Sequence, residues 1–243
     1  MRTQNDISEN LNHWDYIDRY STWMFHVYQD YVGKKVFDVG AGMGRMVSYY
    51  VDDAEKVVAT DIFQHQVDFM NQRFSTHKGF SAKLIDVLES DLSEYKEEFD
   101  TVICINVLEH LSDDYQAVKN MASLLEWGGY CILMVPAWQR LYCDLDINVG
   151  HYRRYDPGRL EDIAKKNHLK IIKHHYYNMP GIIPYWIKGR KKADKDESFS
   201  SSLNESNSKI YNLASSILEP IERRFPPKVG LTEVMIVRKV HED

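Results

Sequence analysis

Three glycines at alternate positions, Gly40, Gly42 and Gly44, follow the apolar run Val36–Val39. Glycine reaches backbone angles closed to other residues and lets a ligand approach the main chain closely. A strand running into such a turn and then a helix is therefore a cradle for a nucleotide-type ligand. The spacing separates two ligand classes. A dinucleotide turn, Gly-x-Gly-x-x-Gly, would put its third glycine at position 45, which is Arg45 here. A second strand-like run, Val57 to Thr60, ends at Asp61, and 61 − 40 = 21 residues separate that acid from the first glycine. A carboxylate so placed can accept hydrogen bonds from both hydroxyls of a ribose.

A second set of reactive residues lies in Gly150-His151-Tyr152-Arg153-Arg154-Tyr155. His151 is the leading candidate for a general base, because a free imidazole titrates at about pH 6.5 and can take a proton from a hydroxyl near neutrality. His110 is the second candidate, with packing at a helix start as its plainer role. The guanidinium forks of Arg153 and Arg154 match carboxylate or phosphate oxygens with paired bonds. Salt bridges to Asp144, Asp146 or Asp156 are the plainer alternative for them. Trp138 and Tyr142 offer rings on which a sugar or an aromatic acceptor could stack.

The elements that must hold these groups are legible as an alternation. A helix is expected over 14–32, with apolar or aromatic residues at Ile17, Tyr20, Met24, Val27, Tyr28 and Tyr31 and a stop at Gly33. Strands are expected at Val36–Val39, Val57–Thr60, Lys83–Ile85, Thr101–Ile105 and Tyr130–Val135. Val118, Met121, Ala122 and Leu125 mark a helix between the last two, closed by Gly128-Gly129. Asp156 and Pro157 read as the N-cap and first turn of a helix reaching Asn167. Leu169–His174 and Leu231–Val240 complete the sheet. Alternating strands and helices of this kind imply a parallel sheet covered on both faces.

The chain has 243 residues, enough for one domain with an insertion, and 30 basic against 36 acidic residues give −6, which disfavours polyanion binding by the protein as a whole. It lacks an apolar run of the roughly 20 residues that would span a bilayer, and its polar N-terminus lacks a signal core. Cys104, Cys131 and Cys143 are odd in number and show no Cys-x-x-Cys spacing, so reduced thiols, no metal and a cytoplasmic location are expected. Residues 181–228 read as an insertion or lid. Within it Lys188, Arg190, Lys191, Lys192 and Lys195 precede a Ser/Asn-rich stretch, and Ile210, Leu213, Ala214, Ile217, Leu218 and Ile221 form an amphipathic stripe. The stripe suits a packing helix that covers the site or meets a second subunit in a homodimer, rather than a membrane anchor.

Asp38-x-Gly40-x-Gly42-x-Gly44 followed by Asp61 resembles the class I S-adenosylmethionine-dependent methyltransferases. Asp15-x-x-x-Arg19-Tyr20-x-x-Trp23, Cys104-Ile105-Asn106-Val107-Leu108-Glu109-His110, Val135-Pro136-Ala137 and Gly150–Tyr155 are similar to a bacterial group modifying saccharides and other small molecules. The resemblance covers nearly the whole chain. It implies an α/β Rossmann-like fold, a mostly parallel seven-stranded sheet with a last antiparallel strand. Residues 1–243 would form one domain: a helical cap at 1–33, an active-site loop at 138–155 and the insertion before the last strand. It also implies S-adenosylmethionine as cofactor. Backbone N–H groups of Gly40, Ala41, Gly42 and Gly44 would face its aminoacid part, Asp38 would orient the loop, and Asp61 would hold the ribose. Ile62 would pack on adenine, Asp86 would accept from its N6 amine with Val87 alongside, and the Asn106 carbonyl would reach the ammonium. Tyr20 and Trp23 would close over the cofactor.

The expected acceptor is a hydroxyl on a saccharide or secondary metabolite. An ionised carboxylate or phosphate, a nucleic acid and a non-catalytic scaffold are the alternatives. Asn106-Val107-Leu108-Glu109 is not Asn/Asp-Pro-Pro-Tyr, which disfavours methylation of base amines.

Overall fold

The computed structural model describes residues 18–190 and 216–241. Its first element is α1 (Asp18–Tyr28), extended by a short 3₁₀ turn at Gln29–Tyr31. Residues 14–17 of the expected helix lie outside the described residues. Next come β1 (Lys35–Val39), β2 (Lys56–Asp61), α2 (Gln64–Arg73), β3 (Phe80–Leu84) and β4 (Phe99–Ile105). The chain continues through α3 (Asp114–Leu124), β5 (Leu125–Pro136), α4 (Asp144–Val149), α5 (Arg159–Lys166), β6 (Leu169–Tyr177) and α6 (Ile182–Gly189). A helix over residues 216–224, α7, precedes β7 (Thr232–Lys239).

The seven strands lie in the order β3-β2-β1-β4-β5-β7-β6. β1 to β5 pair in parallel, and β7 runs antiparallel between β5 and β6. β6 therefore points the same way as β5, so Val39, Asp61, Ile105, Pro136 and Tyr177 all end on one edge of the sheet. Both faces are buried, which is why the central strands read as continuous apolar runs. One face carries Phe37, Val102, Cys104, Leu133 and Met235 against α3 and α5. The other carries Val36, Val57, Ile103, Ile132 and Val234 against α1 and α2. Each such side chain, fully buried, contributes about 1.5–3 kcal/mol. Cys104 and Cys131 are buried free thiols.

Several expectations are corrected. Gly128 and Gly129 do not end a helix. α3 stops at Leu124, and residues 126–129 bulge opposite Asp100, between the pairs Phe99↔Leu125 and Thr101↔Tyr130. Gly128 takes φ +90° in that bulge, a conformation open to glycine. β3 starts at Phe80 rather than Lys83. Asp156 and Pro157 do not start α5, whose N-cap is Gly158 at φ +97°. The Asp156 carboxylate instead accepts from the Gln139 N–H at 3.0 Å. Segment 138–155, expected as an active-site loop, contains a 3₁₀ turn at Gln139–Leu141 and all of α4. Of the amphipathic stripe, 210, 213 and 214 lie outside the described residues. Leu218 packs on the core, whereas Ile217 and Ile221 are exposed.

A buried carboxylate joins the two helices of one face. Asp114, the first residue of α3, accepts from Arg159 Nε at 2.9 Å, Arg159 Nη2 at 3.0 Å and the Tyr155 hydroxyl at 3.0 Å. Asp114→Ala leaves the Arg159 fork without its carboxylate and removes one acceptor of the buried Tyr155. It is expected to cost about 1–3 kcal/mol, seen as a lower urea midpoint with an unchanged slope. A wild-type midpoint would show that this pin carries no stability.

Candidate active site

The glycine turn is built from left-handed residues. Gly40, Gly42 and Gly44 have φ of +66°, +59° and +72°. A Cβ at Gly40 would stand 2.4 Å from Val107 Cγ2, so the end of β4 presses directly on the turn. The N–H groups expected to face a ligand are engaged within the protein. Ala41 N–H donates to Thr60 O at 2.8 Å, Gly42 N–H to Asp61 Oδ2 at 3.0 Å and Gly44 N–H to Ala41 O at 2.9 Å. A tight turn against a buried strand must satisfy its own polar groups. The turn thus offers shape and close approach rather than those three donors. A Cβ at Gly42 would meet nothing within 4 Å, so space is open there.

Asp61 ends β2 beside this space. Its Oδ1 accepts from Phe63 N–H at 3.0 Å, and the Gln66 amide, oriented with its nitrogen inward, reaches both carboxylate oxygens at 2.7 and 2.8 Å. Ile62 and Phe63 next to it are 59% and 53% exposed, an apolar platform of the kind an adenine face needs. Asp86 Oδ1 accepts from Leu88 N–H at 2.8 Å, so one oxygen closes its own turn. Val87 beside it has its side chain buried in the core. Asn106, at the end of β4, holds φ +53°, a conformation that persists where surrounding packing imposes it. Open space at the glycine turn, a carboxylate beside it and an exposed apolar shelf together fit an adenosyl group. Tyr20 and Trp23 pack at the end of β6, where the Tyr20 hydroxyl bonds that of Tyr177 at 3.0 Å and the Trp23 ring meets Tyr177 edge-on.

Asp38 lies behind the turn, 3% exposed, accepting from the Tyr50 hydroxyl at 2.5 Å. Burial pushes its carboxyl up to about 7, with the Tyr50 bond acting the other way. Its main-chain carbonyl accepts from the Thr60 hydroxyl at 3.1 Å. Asp38 therefore ties β1 to β2 beneath the turn.

The acceptor side is organised by Asp146, which is fully buried. It accepts from Cys143 N–H at 3.0 Å, His151 Nδ1 at 2.8 Å, Arg154 Nε at 2.8 and 3.0 Å, and the Tyr185 hydroxyl at 2.9 Å. Burial opposes its ionisation, but the His151 and Arg154 bonds overcome that and hold it down at about 2. Gly150, at φ +85°, ends α4 and aims His151. His151 Nε2 lies 3.8 Å from Glu109 Oε1, and its ring meets His110 edge-on at 4.6 Å. Glu109 is 1% exposed, its Oε2 has no partner, and burial pushes it up to about 8. Burial and then His151 lower His110 to about 4. Donor atoms of Glu109, His110 and His151 all lie within 4.8 Å of one another.

Both arginines are held by protein oxygens, Arg154 in the plainer salt bridge to Asp146. The Arg154 fork is bound to Asp146 under the Tyr185 ring, and that residue is 4% exposed. Arg153 Nη1 and Nη2 donate to Leu111 O and Ser112 O at 2.7 and 2.9 Å, with Asp114 at 3.6 Å. Each fork shapes the site's wall and is not turned to an anionic acceptor. Trp138 stacks on Tyr176, and its indole N–H donates to Gly230 O at 2.8 Å. The Tyr142 hydroxyl donates to His151 O at 2.7 Å, steadying the histidine's main chain. Sequence reasoning missed the central roles of Asp146, Glu109 and Tyr185. An acid five residues before His151 and another after strand four were visible, but nothing local marks Tyr185.

Asp38 gives a pH-dependent prediction. A carboxyl raised in the fold contributes stability at low pH that is lost as pH climbs through its folded value. Tyr50→Phe removes the bond that holds it down and steepens this loss. Urea unfolding at about pH 5 and about pH 8 should show the larger destabilisation at the higher pH. Equal losses would mean that the Tyr50 hydroxyl does not support a charged Asp38.

Residues 37–131 match a family model described as a methyltransferase domain. A tRNA U34 carboxymethyltransferase of Campylobacter hominis is 33% identical over 142 residues, 56% of this chain and 46% of that protein. A ubiquinone biosynthesis O-methyltransferase of Proteus mirabilis is 30% identical over 99 residues, 40% of each chain. The chain thus spans under half the length of these curated relatives. Among solved structures, an S-adenosylmethionine-dependent methyltransferase from Archaeoglobus fulgidus superposes with a TM-score of 0.61 at 16% identity, covering 91% of this chain and 94% of that one. Geranyl diphosphate C-methyltransferase from Streptomyces coelicolor, solved with S-adenosyl-L-homocysteine, gives 0.62 at 14% identity, covering 90% and 77%. The glycine turn and the acid that closes β2 lie inside the stretch matched as a methyltransferase domain, and the chain shares the fold of these solved methyltransferases.

Proposed function

We propose that the chain transfers the methyl group of S-adenosylmethionine to a hydroxyl of a small molecule, a saccharide or secondary metabolite, with His151 managing the acceptor's proton. The observation that carries this reading is the Asp146–His151 pair at the carboxyl edge of the sheet. The cofactor supplies an electrophilic methyl on a sulfonium centre. Transfer then needs a nucleophile in line at about 3–3.5 Å in a site that excludes water. Asp146, bound to Nδ1, favours the tautomer with the proton on that nitrogen and leaves Nε2 as acceptor. Its charge stabilises the imidazolium formed when His151 takes the proton. Glu109, kept neutral by burial, adds no competing negative charge beside a developing oxyanion.

An ionised acceptor is less well supported, because both arginine forks are engaged by protein oxygens. A nucleic-acid acceptor draws support from the relative named for tRNA. Assaying S-adenosylhomocysteine release on tRNA beside a panel of hydroxylated small molecules separates the two.

The cofactor end is tested by Asp61→Ala. A hydrogen bond to a charged group is worth about 1.5–3 kcal/mol, so calorimetry should show S-adenosylmethionine binding at least tenfold weaker in a folded variant. Unchanged affinity would remove Asp61 from the site.

His151→Ala is expected to lower turnover by about 10²–10⁴-fold while leaving cofactor affinity nearly intact. Wild-type turnover should survive chelation. A variant with wild-type turnover would overturn the base role. Loss on chelation, restored by a divalent cation, would assign the chemistry to a metal on Glu109, His110 and His151 instead.

A further inference from the structure

Among the described residues, α6 is held from one side. Its inner residue Tyr185 is 5% exposed, donates to Asp146 and lies under the Arg154 guanidinium at 4.1 Å. Gly189 backs onto Cys143, where a Cβ would come within 2.7 Å of Sγ. The outer face carries Ile183, Trp186 and Ile187, exposed by 65%, 44% and 51%. Isolated exposed apolar residues are ordinary, but three on one short helix make a patch. Glu222 of α7 accepts from Asn178 and Met179 N–H at 2.8 and 3.0 Å, which joins that helix to the turn leading into α6. α7 then shows Ile221 and Phe225 to solvent at 53% and 71%.

Among the described residues, the charges at the end of α6 have one sign. Lys188 and Arg190 close α6, with the Arg190 guanidinium 3.7 Å over the Trp186 ring. Arg223 and Arg224 in the last turn of α7, and Lys228 beyond it, are exposed. The two acids of α7 point inward, Glu219 to His26 and Glu222 to the 178–179 main chain. This cationic rim stands on a chain of net charge −6, so it is a local feature. An apolar helical face with tryptophan at its border and Lys/Arg around it has the chemistry of an element lying in the plane of a membrane surface. Among the described residues no helix is long and apolar enough to cross a bilayer, which suits a surface-lying role.

We propose that the outer face of α6, formed by Ile183, Trp186 and Ile187 with Lys188 and Arg190, docks on an anionic lipid surface. The expectation of no membrane partner rested on the lack of a spanning segment, which says nothing of such a face. Docking would place the Asp146–His151 pair about one helix diameter, ~10–12 Å, from the surface, since Tyr185 links them across α6. The charges predict binding to anionic but not to neutral vesicles, weakened by salt.

The test uses the full chain in flotation with vesicles of phosphatidylcholine alone or mixed with phosphatidylglycerol. Binding is expected only to the mixed vesicles. It should drop about tenfold or more in Ile183→Glu/Ile187→Glu and fall clearly in Lys188→Gln/Arg190→Gln. Ile183, Ile187 and Arg190 are exposed and Lys188 is half-buried, and circular dichroism confirms the fold of both variants. No binding to anionic vesicles, or binding unchanged in the Ile183/Ile187 variant, would overturn the proposal. So would a dimer in light scattering that the same variant abolishes, because a second copy would then cover the face.

Discussion

A buried carboxylate cannot stay charged without donors, and Asp146 obtains them from four different parts of the chain. Cys143 N–H closes the first turn of α4, His151 follows the glycine that ends it, Arg154 comes from the strand-like exit, and Tyr185 comes from α6. Removing the charge would release all four at once. The candidate base, the wall beside it and the helix on the outer surface therefore share one electrostatic origin. Burial pushes both Asp146 and Glu109 up, but the His151 and Arg154 bonds hold Asp146 down. The two acids are thus shifted in opposite directions, because Asp146 is bonded by a guanidinium and an imidazole while one Glu109 oxygen has no partner.

The cofactor edge obeys a different constraint, the closeness of two strand ends. Val107, following β4, fills the place where a Cβ of residue 40 would be, and Asp38 and Thr60 tie β1 to β2 just below. With Ala41, Gly42 and Gly44 N–H groups satisfied internally, the turn is rigid before any ligand arrives. Its contribution to binding is a preorganised open space. Asp61 stands beside that space at the end of β2. Such a division is economical, since the left-handed glycines have no side chain to clear.

The two regions meet along the edge where β1, β2, β4 and β5 end, and residues from both are strained or oriented there. Asn106 lies at positive φ between the glycine turn and Glu109, and His151 stands over Glu109 and His110. α6 extends this arrangement outward. Its tyrosine is part of the Asp146 cluster, whereas its isoleucines and tryptophan face solvent within a cationic rim. One short helix thus connects the chemistry to a surface.

The sequence by itself determined the alternation of strands and helices, the glycine turn and the acid at the end of β2. These rest on local rules: an apolar run of strand length, a turn that requires positive φ, and a fixed count between two strand ends. The same locality explains its errors. Gly128 and Gly129 have the chemistry of a helix stop and of a strand bulge alike, and only pairing with Asp100 selects the bulge. Arg153 and Arg154 have forks suited to an anionic acceptor, but Leu111, Ser112 and Asp146 were brought within reach by folding. The Asp146–Tyr185 bond spans 39 residues, and Glu109 meets His151 across two strand ends. Which side chain is buried, which oxygen finds a donor and which helix face is left in water depend on contacts between distant segments, so only the tertiary structure decided them.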